Sequence, residues 1–417
     1  MSLSTNILDT LVTWEDVEKE IQKTMKTTAR FGEKRTVSSV GDMKGFLSRI
    51  ALVECDWIDA PEDDVLPDKL IVKISTTLAL DDLAELTSSG TSSEPKKEES
   101  EEEREETERN VRRYHNLEVE MYDIIARENN SKLRTLKMYA SRAFTGENKT
   151  KGFFVFDYIP NVHPVSMYVS YEQLLPVVDS IAAFSAMGER MNEEEKKATF
   201  GSDHIERNLK GLFSGNKLEK LRKELMEALG NQQEQDIDAA VQIIKMICGS
   251  SRVLNNYTNI SGILGYHPIL VHSDLWSGNM LFTKSSEDKI DFRALIDFQT
   301  ASFSNPALDL TSIAVSCLSA EDRRKHTNAI IKRYYDSFLL NLNGVSAPFS
   351  LQQLNDSYQL CFPAAVMLNL PFVWCYAKYF GNETTLEDAR RKIIGMLKDL
   401  IDMHESNVKK FPKFFQV

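Results

Sequence analysis

Residues 266–282 read Y-H-P-I-L-V-H-S-D-L-W-S-G-N-M-L-F, and residues 294–298 answer with A-L-I-D-F. In each, an apolar run rich in Ile, Leu and Val, of the length expected for a buried strand, leads into polar chemistry. The first delivers His272, Asp274 and Asn279; the second delivers Asp297. Phosphoryl transfer asks little covalent work of a protein. It needs a carboxylate to orient the acceptor hydroxyl and oxygen ligands that hold magnesium on the nucleotide phosphates. The spacing H-x-D-x-x-x-x-N, followed by an apolar-flanked D-F, supplies both. Asp274 is the candidate for orienting and deprotonating an acceptor hydroxyl. Asn279 and Asp297, one neutral and one charged oxygen donor, suit a hard cation that keeps water and phosphate among its ligands.

The run H-S-D-L-W-S-G-N-M-L-F, the I-D-F-Q that follows and a later D-L at Asp309 and Leu310 resemble the choline kinase and aminoglycoside phosphotransferase superfamily. Within it, the D-L-W and D-F-Q details look most like the ecdysteroid kinase-like (CHK kinase-like) family. The likeness extends from about residue 36 to about residue 398. It implies an α+β, protein kinase-like two-lobed fold. A small antiparallel-sheet N-lobe that binds nucleotide would occupy residues 1–156, and a larger, mostly helical C-lobe for catalysis and substrate binding residues 157–417. ATP and Mg2+ are the cofactors so implied. His272, at the end of a buried strand, is expected to brace the loop by hydrogen bonding. For Asp309, which opens D-L-T-S-I-A-V-S-C-L, a helix N-cap and a brace of the catalytic loop both stand open, the brace being what the resemblance implies. One departure is A-A-F-S-A, with Ser185 where relatives often carry histidine. The jobs of Trp276, Phe298 and Gln299 are not determined by the sequence.

Towards the N-terminus, T-W-E-D-V-E-K-E-I-Q-K-T-M begins with a possible capping Thr13 and places Trp14, Val17, Ile21 and Met25 on one helical face. From residue 36 the pattern turns to β: T-V-S-S-V, a turn at residues 41–45, F-L-S-R-I-A-L-V-E-C, then K-L-I-V-K-I. Gly41 and Gly45 at that hairpin tip could let backbone amides approach nucleotide phosphates. Lys73 sits inside the third strand among Leu70, Ile71, Val72 and Ile74, where a charge is costly without a partner. The answering carboxylate is sought on a helix from about residue 105 to 128, whose apolar face carries Val111, Tyr114, Glu118, Met121 and Ile125. Glu118 is thus the inward acid, while Glu120, about 200° round the helix, points to water. The resemblance implies that Lys73 pairs with Glu118 and reaches the nucleotide phosphates. It also implies that backbone groups from Asp157 to Ile159, at the end of the strand G-F-F-V-F-D-Y-I-P, hold an adenine edge.

Between strand and helix lies a Ser/Glu-rich run without aromatics, expected as a disordered acidic insertion at about residues 88–104, its early part a mobile loop, with helix near Glu101 as the alternative for its end. Residues 94–109 hold nine acidic and four basic side chains, which accounts for part of a net charge of −12. With a pI near 5.3, the chain offers no bulk basic surface, so nucleic acid is not an expected partner. Five widely spaced cysteines in apolar surroundings are expected as reduced core thiols of a cytoplasmic protein. Residues 1–10 lack a basic n-region and a continuous apolar core, so no signal peptide is expected. The longest apolar run, residues 364–377, is interrupted by Asn369 and Pro371 and reads as too short to span a bilayer.

The residue before Asp274 is Ser273 rather than arginine, and only residues 299–308 separate Asp297 from Asp309. That leaves no room for the long activation segment of a protein kinase. The expected acceptor is therefore a small hydroxylated molecule. Residues 357–380 carry aromatic and Met side chains, two prolines that should bend or break the helix, and no Asp or Glu. Such a wall suits a lipophilic, steroid-like alcohol better than an ammonium ligand, with choline or ethanolamine as the alternative acceptor. A nucleotide-binding pseudokinase scaffold is the rival of a different class. A hydrolase built on His272 lacks a second histidine near the motif.

Overall fold

Alternation organises the first strands. In K-L-I-V-K-I-S, Leu70, Val72 and Ile74 are buried on one face while Lys73 stands on the other. The structure, a computed structural model, describes residues 5–40, 47–78, 100–163, 167–199, 203–286, 289–381 and 383–416. Gly41 and Gly45 lie outside them, as does most of the acidic insertion. The chain divides into one unit of Met1–Asn129, Thr135–Asn161 and Asp297–Gln299, and a second of Asn130–Arg134, Val162–Ile296 and Thr300–Val417.

The first unit holds β1 (Arg30–Phe31), β2 (Thr36–Ser39), β3 (Ser48–Glu54), β4 (Trp57–Ile58), β5 (Lys69–Ser75), β6 (Met138–Arg142) and β7 (Phe153–Asp157). Five of them form a sheet in the order β2-β3-β5-β7-β6, antiparallel throughout. The N-terminal helix Trp14–Met25 starts on a capping box of Thr13 and Asp16. It buries Val17 and Ile21 in a core with Val53, Val72, Ala140 and Val155. The second helix of this unit runs Glu101–Glu128, from an N-cap at Ser100 closed by Glu103. Residues 101–104 are thus helix, not part of a disordered insertion. Three glutamates in the first turn lie at the positive end of the helix dipole, where their charge stabilises the start. The buried face is also wider than periodicity suggested: His115, Leu117, Tyr122 and Ile124 are buried, whereas Tyr114 is only half-buried.

The second unit is mainly helical. β9 (Ile269–Val271) pairs antiparallel with β12 (Ser302–Ser304). β8 (Val162–His163), β10 (Met280–Ser286) and β11 (Lys289–Leu295) make a small sheet in the order β11-β10-β8. Helix Tyr171–Gly188 passes through Pro176, and the helices Asp203–Phe213, Lys217–Leu229, Glu234–Gly249 and Ser251–Thr258 follow it. Helix Leu351–Phe380 is unbroken through Pro363 and Pro371. Each ring removes one backbone hydrogen bond, but packing on Ala307–Cys317 and Glu383–Lys410 holds the backbone helical. The apolar run therefore lies within a helix that is, over Leu351–Tyr379, long and apolar enough to cross a membrane by length and composition. Burial of Tyr358, Phe362 and the residues up to Met367 inside the unit is an ordinary reason for such a composition. Of the free cysteines, Cys317 and Cys361 are core thiols, but Cys375 is exposed.

Candidate active site

In the second unit, β9 ends on Val271, His272 follows it, and the next residue, Ser273, takes a left-handed backbone with φ 71°. A serine rarely holds that conformation without support. The support is Asp309, which is fully buried and accepts from the main-chain N–H of His272 at 2.7 Å and of Ser273 at 3.0 Å. The helix Ala307–Cys317 begins two residues earlier, with Pro306 at its N-cap. Asp309 is therefore a brace of the loop and not the helix cap, because both its oxygens are turned to amides of another segment. Burial raises its carboxyl above the usual range, against the pull of His272 and the two N–H donors.

His272 Nε2 donates to the carbonyl of Ile296 at 2.9 Å, and Thr300 Oγ1 donates to the carbonyl of His272 at 3.2 Å. Ser273 Oγ and Ser302 Oγ are 2.6 Å apart. The loop is thus tied on several sides, with half-buried Asp274 at its tip. Asn279 Nδ2 donates to the carbonyl of Asp274 at 2.7 Å and to its Oδ2 at 3.3 Å. With its amide nitrogen so engaged, the side-chain oxygen is the atom of Asn279 that can ligate a cation.

In the first unit, Lys73 Nζ lies 2.6 Å from Glu118 Oε2, 2.9 Å from Glu118 Oε1 and 2.6 Å from Asp297 Oδ1. The lysine is 11% exposed, Glu118 2% and Asp297 23% at the side chain, so the trio is largely out of water. Burial weakens the ammonium's hold on its proton, but the carboxylates of Asp297 and Glu118 outweigh it and hold Lys73 charged. Burial likewise pushes the Glu118 carboxyl up to about 7; the ammonium opposes that rise and the charge of Asp297 adds to it. One cation thus serves two acids in a dry site. Asp297 has a left-handed φ of 69°, and Gln299 Nε2 donates to its Oδ2 at 3.2 Å. Phe298, next to it, packs edge-on against Tyr122 with ring centroids 5.5 Å apart. Glu120 is exposed.

Asp157 ends β7 with its N–H already given to the carbonyl of Lys137 at 2.9 Å, and its Oδ1 accepts from Lys137 N at 2.7 Å. That N–H has a protein partner, and Ile159 lies half-buried just beyond the strand. Sequence reasoning left the job of Gln299 open and missed Ser302, Thr300 and His115. Of these only Gln299, inside the D-F-Q signature, carried a signal that could have found it.

A family model described as "Uncharacterized oxidoreductase dhs-27" (DUF1679) matches residues 1–408. The "Uncharacterized kinase-like protein D1044.1" of Caenorhabditis elegans is 24% identical over 277 residues, covering 62% of this chain and 70% of that protein. Among solved structures, choline kinase from Cryptosporidium parvum aligns over 96% of this chain and 99% of its own at 10% identity and a TM-score of 0.50. Ethanolamine kinase of Plasmodium vivax aligns over 89% and 83% at 12% identity and a TM-score of 0.44. The likeness to the choline kinase shows the fold: a kinase-like, two-lobed α+β architecture with an antiparallel sheet in its N-terminal part.

Proposed function

The chain belongs to the DUF1679 family, described as uncharacterized oxidoreductase dhs-27, and from that premise we propose that it is an ATP- and Mg2+-dependent small-molecule kinase that phosphorylates a hydroxyl. The observation that carries this reading is the buried Lys73 ammonium held at 2.6 Å by both Glu118 and Asp297. Its counterpart is the spacing of Asp274 and Asn279. A Rossmann-type dinucleotide site does not fit the described residues. The sequence contains no G-x-G-x-x-G, and every strand pair among the described residues is antiparallel, whereas dinucleotide folds use a parallel sheet.

In this reading Lys73, oriented by Glu118, binds nucleotide phosphate oxygens, and Asp297 and Asn279 hold Mg2+. The hard oxygens of an aspartate and an asparagine fit that ion. Among the described residues no three His, Cys, Asp or Glu side chains form a metal cage, so phosphate and water would complete its shell. Bound there, Mg2+ would neutralise charge on the transferring phosphoryl group. In the present structure Asp297 Oδ1 is engaged by Lys73 and Oδ2 by Gln299, so the Gln299 contact is the one that loading would exchange. Asp274, held by Asn279, orients the acceptor hydroxyl and takes its proton as the oxygen attacks. Backbone groups at Asp157 and Ile159 are the proposed adenine edge, although the N–H of Asp157 is already engaged, which leaves carbonyls and the following residues for that task.

For the acceptor, the reading is a lipophilic, steroid-like alcohol, in keeping with the ecdysteroid kinase-like resemblance. Residues 360–367 of the helix Leu351–Phe380 are buried in the core. Its C-terminal half leaves Phe372 53% and Tyr379 56% exposed, on a stripe with Leu368 and Cys375 at helical spacing. An exposed apolar stripe without a carboxylate supports an apolar ligand better than a quaternary ammonium. The test is Mg2+-dependent ATP turnover over a panel of sterols, other apolar alcohols, choline and ethanolamine. Turnover fastest on an apolar alcohol is expected. Faster turnover on choline would overturn the acceptor class, and nucleotide binding without turnover on any alcohol would favour the pseudokinase scaffold.

A further inference from the structure

One helical turn before Glu118, on the same buried face of Glu101–Glu128, lies His115, only 1% exposed. Its Nδ1 is 2.8 Å from Ser75 Oγ on β5, two residues after Lys73, and its Nε2 is 2.9 Å from the carbonyl of Arg142 at the end of β6. A carbonyl can only accept, so Nε2 carries the hydrogen. In a neutral ring Nδ1 must then accept from the Ser75 hydroxyl. Burial, helped by the nearby Lys73 ammonium against the pull of the Arg142 carbonyl, lowers the ring to about 4 and so keeps this tautomer neutral.

The ring is also walled in. Its centroid stands 4.5 Å from that of Phe154 and 4.9 Å from that of Phe144. Phe154 is the cross-strand neighbour of Lys73 and lies 5.7 Å beneath its ammonium, so histidine and lysine share one aromatic platform. The next residue, Asn116, donates to the carbonyl of Phe144 and accepts from its N–H, each at 2.9 Å. On its outer side Arg142 is tied to the N-terminal helix, at 2.6 Å to Asp16 and 3.0 Å to Glu20.

We propose that His115 is a positioning residue, which pins the helix Glu101–Glu128 to β5 and β6 at the one height and rotation at which Glu118 meets Lys73. Residues 101–106 of that helix are exposed, so burial at its start does not set the register. The apolar contacts further along are non-directional and tolerate sliding. A slip of one residue turns a helix by about 100° and moves it about 1.5 Å, enough to carry the Glu118 carboxylate away from the ammonium. The hydrogen bonds of His115 and Asn116 are directional and forbid that slip. The Lys73–Glu118 pair is thus built into the first unit and does not wait for a ligand to assemble it. The claim concerns the position of the helix; its effect on nucleotide affinity rests in addition on the reading of Lys73 and Glu118 as a phosphate grip.

Hydrogen exchange of residues 111–125 in the free, full-length protein tests the position, and Mg-ATP affinity tests the consequence. His115→Leu should speed exchange there about ten-fold and weaken Mg-ATP about ten-fold. His115→Gln, whose amide N–H can reach the Arg142 carbonyl, should recover most of both, which a role in filling space alone would not produce. In a Glu118→Gln background, His115→Leu should weaken Mg-ATP by less than two-fold more, since both changes remove one interaction. Should His115→Leu not fold, Ser75→Ala, which deletes one hydroxyl, decides the matter with an expected three-fold or greater rise in exchange. Exchange within two-fold of wild type in Ser75→Ala and in any folded His115→Leu would overturn the proposal, as would losses in Mg-ATP affinity that multiply in the double variant. If Glu118→Gln and Lys73→Met leave Mg-ATP affinity unchanged while His115→Leu or Ser75→Ala still speeds exchange, the positioning role stands and the phosphate-grip reading falls.

Discussion

Asp274 and Asp297 sit in different surroundings, and the proposed function gives them different work. Asp274 is half-buried and accepts from Asn279, whereas Asp297 is drawn onto a buried ammonium. Asp274→Asn should therefore lower kcat about 10²- to 10⁴-fold, the range for a lost general base, with Mg-ATP affinity nearly unchanged. Asp297→Asn should weaken Mg-ATP binding itself. Titration calorimetry beside initial rates checks the pair, and equal losses of affinity would dissolve this division of labour. His115 makes a different residue-scale prediction. Burial holds the ring at about 4 against an ordinary 6.5, so between those values the unfolded chain takes up a proton that the folded protein refuses. Wild-type stability should fall as pH drops from 6.5 to 4, by on the order of a few kcal/mol from this group. Gln does not titrate, so the stability gap between wild type and His115→Gln should narrow over the same window. Denaturant unfolding at pH 7 and pH 5 reads it, and a gap that widens towards pH 5 would contradict the neutral tautomer.

At the scale of elements, the N-terminal helix shows how a short amphipathic segment becomes part of a sheet domain. Thr13 and Asp16 cap it reciprocally, and Asp16 also accepts from Arg142 at 2.6 Å and Lys151 at 2.7 Å. These partners outweigh the desolvation of the half-buried acid and hold its carboxyl well below the usual range. One side chain thus satisfies a helix end and fastens it to the edge strand β6. Asp16→Ala removes a cap and strands Arg142 near buried surface, so a loss of about 2–4 kcal/mol is expected. Urea unfolding should show a lower midpoint with little change in slope; a loss under 0.5 kcal/mol would mean that Glu20 alone secures Arg142. The helix Leu351–Phe380 teaches the opposite lesson. Its two prolines are expected to bend or break it, but a proline costs one hydrogen bond and some bending, and a thirty-residue helix clamped by two neighbours continues through both.

For the whole molecule, the proposed function predicts a linked effect of nucleotide and metal. A ligand that binds only the folded state raises stability by about 3 kcal/mol at a hundred times its Kd. ATP with Mg2+ should raise the melting temperature by several degrees, and ATP with a chelator by much less; equal shifts would remove the metal from the nucleotide site. Much of the molecule was legible beforehand. Alternation in β3 and β5 announced an antiparallel sheet, and helical spacing turned Glu118 inward and Glu120 outward. These features are local: burial and periodicity are written into neighbouring residues, and a reader needs only a window of a few turns to see them. What only the tertiary structure decided is which atom each polar side chain meets. Asp309 looked as much like a helix cap as a brace until its oxygens were found on the amides of His272 and Ser273, 37 and 36 residues away. Lys73 meets Asp297 across 224 residues of chain. His115 carried no signal at all, because a histidine on an apolar helix face fits any buried partner. Ser273 and Asp297 gave no hint of their left-handed backbones, which the surrounding hydrogen bonds impose. A residue's periodicity is a property of its own segment, but its hydrogen-bond partner is chosen by whichever distant segment the packing brings alongside.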